Sequence, residues 1–237
     1  MEDVINQPEI KVINKYLGFH QLEYLGDNGI DVVKATEICD SDYKLLKNSP
    51  IDKLWSIRIA AITGQDFNLP SLIGVNKNEA VNWIKTQQAK DMRYVFFYSS
   101  FFHAHKSGRI HIERNITHIE VSNGDFDRFK HEIPDLSVEI LFETFIIEKI
   151  NNNTIEPSCI TELQVLSQEL RKLYKEEIDS SPNVVYEFDF AFGEFTDKNG
   201  SYLKDEALKI VGMRSYDLDK LRHELYEEKQ TDSDEFS

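Results

Sequence analysis

Cysteine is scarce in this chain. Only two cysteines, Cys39 and Cys159, occur among 237 residues. Two distant cysteines cannot form the disulfide framework of a small secreted domain, and they match no CxxC metal-binding pattern. Neither stands in a recognisable reactive context, so a thiol nucleophile is not expected. We expect two reduced thiols in a cytoplasmic protein.

Basic residues are also few. Lys and Arg number 27 against 42 Asp and Glu, which gives a formal net charge of −15 and a pI near 4.9. A general nucleic-acid or anionic-membrane binder needs a basic surface, so these two classes are excluded, whereas a local basic cleft is not. The sequence shows no signal peptide and no apolar run of membrane length. An acidic mimic of DNA would not need 11% aromatic residues.

The short motifs of well-known catalytic and binding sites are missing too. The chain holds no Walker A loop, no GxGxxG turn for a dinucleotide, no HExxH zinc motif and no nucleophile elbow. It has no internal repeat. A function must therefore be inferred from the order and content of ordinary elements.

The chain does contain enough apolar sequence for a large core. Apolar residues make up 41% of it, and its length suffices for one large domain or two lobes. Residues 53–62, 137–150, 183–192 and 207–216 have the apolar or alternating patterns typical of strands. Residues 159–178 place leucines three and four apart, which predicts the clearest helix. Helices mixed with hairpins predict an α+β fold.

The segment 94–121 has the most distinctive pattern. Aromatic and β-branched residues lead to a break at 106–108, and strict alternation of polar and apolar residues follows. This predicts a β-hairpin with a three-residue turn at 106–108, which sets His103 opposite His111. A slip of one residue in the pairing would separate these histidines.

The same register adds His105 and Glu113 to the polar face that carries His103 and His111. Imidazoles and a carboxylate at this spacing suit Zn²⁺ or Mn²⁺. A metal-dependent hydrolase using this hairpin is therefore one candidate function. The alternative is a polar sheet face exposed to solvent.

A second pattern lies in the order of the pieces. A helix leads into Gly-Ile-x-Val, a strand carrying Arg58 precedes a loop with proline and a further helix, and an aromatic strand enters Ala-x-x-Ser-Gly. After "IEVSNGD" come a leucine helix, a strand with carboxylates and a last strand ending in x-Arg. This order resembles the ATP-grasp nucleotide-binding domain of the pyruvate phosphate dikinase and phosphoenolpyruvate synthase group. The resemblance spans residues 15–216.

The resemblance implies a set of site residues. "SIR" puts Arg58 at the family's first phosphate-contacting arginine, and "IVGMR" puts Arg214 at the second, so both are candidate catalytic residues. "VYEFDFA" puts Glu187 at the family's metal-binding glutamate. Asp189 lies two residues on, on the same face of a strand, and could partly replace a missing metal ligand. The implied cofactors are ATP and Mg²⁺, because a triphosphate needs cations and a carboxylate-held metal to neutralise it.

At other positions the sequence departs from the family pattern. The family's early lysine falls at Gly18, and Lys15 is the nearest substitute. The hinge glutamine falls at Ser99, and the glutamine of "LQxR" is Gly212, which removes one metal ligand. The resemblance thus implies Lys15 and Ser99 as further nucleotide contacts. The family's phosphohistidine and pyruvate-binding domains have no counterpart in the sequence.

Three functions remain open at this point. The first is an ATP-dependent phosphotransferase, a transferase of the kinase kind that binds the nucleotide with magnesium and acts on a partner protein. The second is a degenerate relative that binds a nucleotide or a protein without catalysis. In that case Arg58, Glu187 and Arg214 could form a buried ionic network without a ligand. The third is the metal-dependent hydrolase.

The expected domain organisation is simple. Residues 1–218 are predicted to form a single ATP-grasp-like α+β domain of two lobes with mixed or antiparallel sheets. Residues 219–237 are highly charged, and the segment after Lys229 has one apolar residue, Phe236. Such a segment cannot bury enough apolar surface to order itself, so we expect a disordered acidic tail whose removal leaves stability unchanged.

Overall fold

The computed structural model of the chain describes residues 13–39, 43–62, 69–91, 93–141, 144–150, 155–195 and 207–219. The predicted tail beyond Asp219 lies outside these residues. The helices are α1 Lys15–Asp27, α2 Lys44–Asn48, α3 Lys77–Gln88, α4 Phe126–His131, α5 Pro157–Leu173 and α6 Lys175–Ser180. Within the described ranges, no helix combines the length and the apolar character that crossing a bilayer requires.

The strands form two antiparallel sheets. They are β1 Thr36–Glu37, β2 Trp55–Ala61, β3 Ser71–Val75, β4 Tyr94–Ser100, β5 Phe102–Ile112, β6 Ile116–Asn123, β7 Leu136–Leu141, β8 Thr144–Ile150, β9 Val184–Phe195 and β10 Ala207–Asp217. The four-stranded sheet has the order β1-β4-β2-β3, and the six-stranded sheet has the order β10-β9-β5-β6-β7-β8. The chain passes from the first sheet to the second at Phe101, between β4 and β5. The fold is α+β with one lobe around each sheet.

The smaller lobe packs α2 and α3 against the four-stranded sheet. Helix α3 begins with a capping box, in which the Asn76 side chain accepts from the N–H groups of Asn78 and Glu79 while Glu79 accepts from the Asn76 N–H. This arrangement satisfies backbone donors that have no partner within the helix. The buried core of this lobe consists of Tyr43, Leu46, Trp55, Ile57, Ile59, Ala80, Val81, Ile84 and Phe96.

The six-stranded sheet has one apolar and one polar face. Successive side chains of a strand point to opposite faces, so Phe188 and Phe190 enter the core while Glu187 and Asp189 point the other way. A single buried cluster joins the apolar face to α1 and α5. It includes Phe19, Leu22, Leu25, Ile110, Ile112, Leu163, Leu166, Leu170, Phe188, Phe190 and Met213.

The predicted hairpin turn at 106–108 is wrong. Strand β5 continues through these residues and pairs on one side with β6 and on the other with β9. A Cβ atom at Gly108 would lie 2.0 Å from the Glu120 carbonyl oxygen, so this glycine allows strands to approach closely instead of forming a turn. Consequently His103 and His111 lie near opposite ends of one strand. The prediction of a single strand over 137–150 also changes, because β7 and β8 are two paired strands.

The turn between β5 and β6 lies at residues 113–115, and helix α5 contacts it. Arg171 donates hydrogen bonds to the carbonyl oxygens of Glu113 at 2.6 Å, Arg114 at 2.8 Å and Ile116 at 3.0 Å. A planar guanidinium with several N–H groups can satisfy these turn carbonyls together. This contact fixes the far end of β5 relative to the core.

Candidate functional site

A cavity of about 1010 Å³ lies between the two sheets. Strands β2, β3 and β4 line one side, β5, β9 and β10 line the other, and α1 and α4 also contribute. Its size suits a small-molecule ligand. Basic side chains outnumber acidic ones on its wall, although the chain as a whole has a net charge of −15. The basic residues are Lys15, Arg58, Arg109, Arg128 and Arg214, and the acidic residues are Asp125 and Asp189.

Glu187 is the buried carboxylate on β9, which lies between β10 and β5, and only 4% of its surface is exposed. Its register partners are His111 on β5 and Arg214 on β10. Arg214 contacts Oε1 through Nε at 2.5 Å and also through Nη2, and Arg109 Nε lies 3.2 Å from the same oxygen. His111 Nε2 lies 3.0 Å from Oε2. Both carboxylate oxygens therefore have nitrogen partners, which offsets the cost of burying the charge.

Asp189 lies two residues further along β9 and reaches the cavity wall. Arg109 Nε donates a hydrogen bond to its Oδ1 at 2.8 Å. Burial opposes ionisation of Asp189, but the charges of Arg109, Arg214 and Arg58 outweigh burial and lower its pKa. The register partner of Asp189 on β10 is Gly212, where a Cβ atom would lie 3.4 Å from Oδ2. Gly212 has no side chain, so it cannot supply the further metal ligand that the resemblance would place at this position.

Arg58 enters the cavity from the opposite sheet. It lies on β2 between the buried Ile57 and Ile59, and its Nη1 donates to the carbonyl oxygen of Val211. Strand β10 has a register shift at this carbonyl, between Ile210 and Gly212. Such an irregularity frees backbone groups from the strand ladder. Burial lowers the pKa of the Arg58 guanidinium, and the Asp189 carboxylate opposes this effect.

Helix α1 explains why Lys15, and not residue 18, contributes a cation. Gly18 packs against β10 so closely that a Cβ atom would lie 1.7 Å from the Met213 carbonyl oxygen. A lysine cannot occupy position 18 with this packing. Lys15 is almost one turn earlier on the same helix, which the Asn14 side chain caps by accepting from Leu17 N–H at 2.9 Å. The Lys15 side chain lines the cavity.

The structure brings most of the sequence-predicted site residues to one place. The residues on the cavity wall are Lys15, Arg58, Ser99, Asp189 and Arg214. Glu187 is not part of the wall but contacts Arg214 directly. Their assigned roles in binding nucleotide or metal, and the catalytic roles of Arg58 and Arg214, stay predictions. Arg109, Arg128 and Asp125 were not predicted as site residues. For Arg109, the sequence did contain an indication, because it alternates with apolar residues on the same strand face as His111.

The three histidines of the predicted metal cluster separate into two groups. His111 contacts Glu187, as described above, while His103 and His105 lie near Glu194 on β9. His103 is the register partner of Glu194, and His105 Nε2 lies 3.5 Å from Glu194 Oε1. One potential ligand atom from each of these three residues lies within 4.8 Å of the other two.

The metal cluster predicted from the hairpin is therefore not formed. It required His103, His105 and His111 on one face with Glu113. Glu113 instead lies at the β5–β6 turn, where its carbonyl accepts from Arg171. The reason is the uninterrupted strand β5, which keeps His111 eight positions away from His103 instead of folding it back.

Comparisons with known proteins bear on the fold. No protein-family model matches the sequence. No curated protein matches it either. Among solved structures, ATP citrate lyase from Methanothrix soehngenii, in complex with citrate and coenzyme A, has a TM-score of 0.51 and 12% identity over 90% of this chain and 52% of that one.

Two further solved structures are similar at lower scores. The D-alanine-D-alanine ligase from Helicobacter pylori has a TM-score of 0.47 and 11% identity over 87% of this chain and 51% of the ligase. The ATP-grasp ligase PsnB, complexed with minimal precursor, has a TM-score of 0.41 and 11% identity over 85% of this chain and 51% of PsnB. The chain spans about half the length of each of these proteins. At such identities the likeness concerns the fold alone, and the fold comparable to that of ATP citrate lyase is α+β and ATP-grasp-like.

Proposed function

We propose that the protein binds ATP together with Mg²⁺ in the cavity between its two sheets. The observation that carries this proposal is the local charge. Five basic side chains line the cavity of a chain whose net charge is −15. Basic groups held together against the overall charge favour an anionic ligand, and focusing in a cleft strengthens the attraction. The ATP-grasp-like fold is consistent with a nucleotide as that anion.

The cavity wall combines charged and apolar side chains, a mixture that suits a nucleotide. Near Asp189, the guanidinium groups of Arg58, Arg109 and Arg214 lie at the cavity wall and would exchange present partners for a triphosphate, since planar guanidiniums bind phosphate oxygens in pairs. A separate apolar cluster also lines the cavity and suits the adenine base. Its members are Val33, Phe102, Ala104, Phe126, Ala191 and Val211. Ser99, on the facing sheet, offers a hydroxyl.

The carboxylates of β9 fit a magnesium ion that arrives with the nucleotide. Mg²⁺ prefers carboxylate and phosphate oxygens, and it neutralises charge on the phosphates when bound. Asp189 would be its first ligand, because its Oδ2 faces Gly212. Glu187 would be the second, since phosphate oxygens offer Arg109 and Arg214 an alternative partner.

The finer proposal is a phosphotransferase. Here the bound nucleotide would donate a phosphoryl group to a partner protein, in the manner of the pyruvate phosphate dikinase type that the sequence resembles. Arg58 and Arg214 would contact the phosphates during transfer. We also propose a cytoplasmic location, consistent with Cys39 and Cys159 not being joined in a disulfide.

A non-catalytic binder is the second candidate, and the site itself favours it in one respect. Both oxygens of Glu187 already contact nitrogen atoms, and Gly212 supplies no metal ligand. A site with few open metal positions can still bind a nucleotide through its arginines. In that case ATP binds and no ADP or AMP is released.

Isothermal titration calorimetry with ATP, ADP and AMP, each with and without Mg²⁺, tests the binding proposal. ATP with Mg²⁺ is expected to bind most tightly and AMP least, because AMP lacks the outer phosphates. Arg58→Met should weaken ATP binding by about tenfold or more, the scale of a lost charge-assisted hydrogen bond. Arg58 pairs with a carbonyl and not with a carboxylate, so its removal leaves no buried anion unpaired.

Arg93→Met is the matched control. Arg93 is exposed, precedes β4 and pairs with Asp91 away from the cavity wall. Its replacement should leave ATP binding unchanged. Absence of ATP binding by the unmodified protein, or an equal loss in both variants, would overturn the proposal. Measuring ADP and AMP release with candidate partner proteins separates the phosphotransferase from the binder.

A further inference from the structure

We propose that His103, His105 and Glu194 form a binding site for one Zn²⁺ ion beside the cavity proposed to bind the nucleotide, whose wall includes His103. The three residues come from two neighbouring strands at the end of the sheet where β5 begins and β9 ends. One candidate ligand atom from each lies within 4.8 Å of the other two. Among the described residues, these three side chains have potential ligand atoms close enough together to bind one metal ion.

The backbone arrangement explains why these side chains converge. His103 and His105 are two residues apart on β5, and Glu194 is the register partner of His103 on β9. The pairing of β5 with β9 shifts between Ala104 and Lys106, so His105 is the extra residue of a bulge. Its carbonyl oxygen accepts from Gly124 N–H at 2.6 Å, which fixes the backbone there. The site is thus built on sheet residues and not on a free loop.

The geometry requires only side-chain adjustment to bind a metal. The two imidazole rings lie 4.7 Å apart between centroids at an angle of 84°. Zn–N distances of about 2.0–2.1 Å in a tetrahedral site imply ligand atoms about 3.3 Å apart. His105 Nε2 and Glu194 Oε1 are already 3.5 Å apart. The His105 side chain is 41% exposed, so it has room to rotate toward the ion.

The donor set determines the metal. Two imidazole nitrogens and one carboxylate oxygen suit Zn²⁺, whereas Mg²⁺ prefers oxygen ligands only. Three protein ligands leave a fourth position for water or another ligand. Glu194 contributes the negative charge, and the acidic chain as a whole attracts cations. His103 also lines the central cavity, so the ion would lie close to its wall.

Titration of the untagged, chelator-treated protein with Zn²⁺ alone, followed by calorimetry, tests this site. We expect one tight Zn²⁺ site per chain, and Co²⁺ in its place should give the visible absorption of a low-symmetry, nitrogen-containing site. His105→Gln and Glu194→Gln should each weaken Zn²⁺ binding by about tenfold or more. These readouts involve no nucleotide, so they stand or fall independently of ATP binding.

His118→Gln is the matched control, because His118 is on β6 of the same sheet and pairs in register with His111. It should leave Zn²⁺ binding unchanged. The proposal is overturned if no stoichiometric Zn²⁺ binding occurs, or if all three variants lose affinity equally, which would indicate scattered binding to surface histidines. Two variants of the site are used so that a folding defect in one, visible as a lower Tm without metal, does not decide the outcome.

Discussion

The two walls of the cavity differ sharply in charge. The four-stranded sheet contributes small or apolar side chains, such as Ser56, Ile73 and Ser99, and one charged residue, Arg58. The six-stranded sheet contributes Arg109, Asp189 and Arg214. One wall therefore carries ion pairs before any ligand is present, and the other is almost neutral. A nucleotide bound between them would turn its phosphates toward the six-stranded sheet.

The difference has its origin in strand register. On β9 the carboxylates occupy alternate positions, and the neighbouring strands carry cations opposite them, as Arg214 lies opposite Glu187. Cross-strand pairs of opposite charge stabilise a sheet, and burial makes them interdependent. On the other wall Arg58 binds the neutral carbonyl of Val211. The charged wall should therefore be sensitive to the loss of a single charge, and the neutral wall should not.

The largest effect is expected from removing the central carboxylate. Glu187→Gln removes the anion that Arg214, Arg109 and His111 share, and breaking a buried ionic network typically costs about 3–5 kcal/mol. Ser99→Ala on the neutral wall, also at a buried position, removes a hydroxyl and no charge, so it should cost no more than about 1 kcal/mol. Free energies of unfolding from urea titrations measure both. Equal losses would mean that the two walls do not differ in the way described.

A second variant acts on the contact between α1 and the charged wall. In Gly18→Ala the new methyl group collides with the Met213 carbonyl, so either α1 or β10 must shift. Overpacking of this kind costs about 1–3 kcal/mol, measured as the free energy of unfolding. Gly26→Ala is the control on the same helix, where the nearest atom is Val32 Cγ2 at 3.4 Å. It should be neutral or stabilising, because alanine favours helix more than glycine does.

The smallest effect concerns pH. The pKa of Asp189 is lower in the folded protein than its ordinary value, so its contribution to stability is present above that ordinary value and is lost as the pH falls through the folded value. Asp189→Asn should therefore be less stable than the unmodified protein at pH 7, and the difference should narrow as the pH is lowered below about 4. Urea unfolding at several pH values gives this difference directly.

Asp52→Asn serves as the control for the pH series, because Asp52 is exposed in a turn before β2. Its free energy of unfolding should differ little from that of the unmodified protein, because no ion pair of the cavity wall is changed. A gap between Asp189→Asn and the unmodified protein that widens toward acid would contradict the assigned direction of the Asp189 pKa shift.

The elements of the fold could be predicted from local sequence because hydrophobic periodicity is a local property. The long leucine helix and the strands around Arg58, Glu187 and Arg214 follow this rule. The turn at 106–108 could not be predicted correctly. A glycine after polar residues indicates a turn, but Gly108 is required by the closeness of β6 and β9, which lie later in the sequence.

The contacts between site residues could not be predicted from the sequence for the same reason. That Arg214 lies opposite Glu187 depends on the register of β9 and β10, which alternation alone does not define. Glu194 joins His103 through the pairing of β5 with β9, two segments about 90 residues apart in sequence. Single charged residues on apolar strands indicated where polar side chains lie, and only the pairing of strands shows which of them meet.

The position of β9 between β5 and β10 also determines the order in which the site is completed during synthesis. Strands β5, β6, β7 and β8 are consecutive in sequence and pair as neighbours, whereas β9 is synthesised later and adds to the other edge of β5, before β10 adds to β9. Pairing of such distant segments is slow. Until β9 arrives, β5 presents an open edge on which Arg109 and His111 lack their carboxylates. Before β9 is added, a chain that is acidic overall therefore exposes a local basic edge on β5, and the carboxylates of β9 then cover and neutralise it.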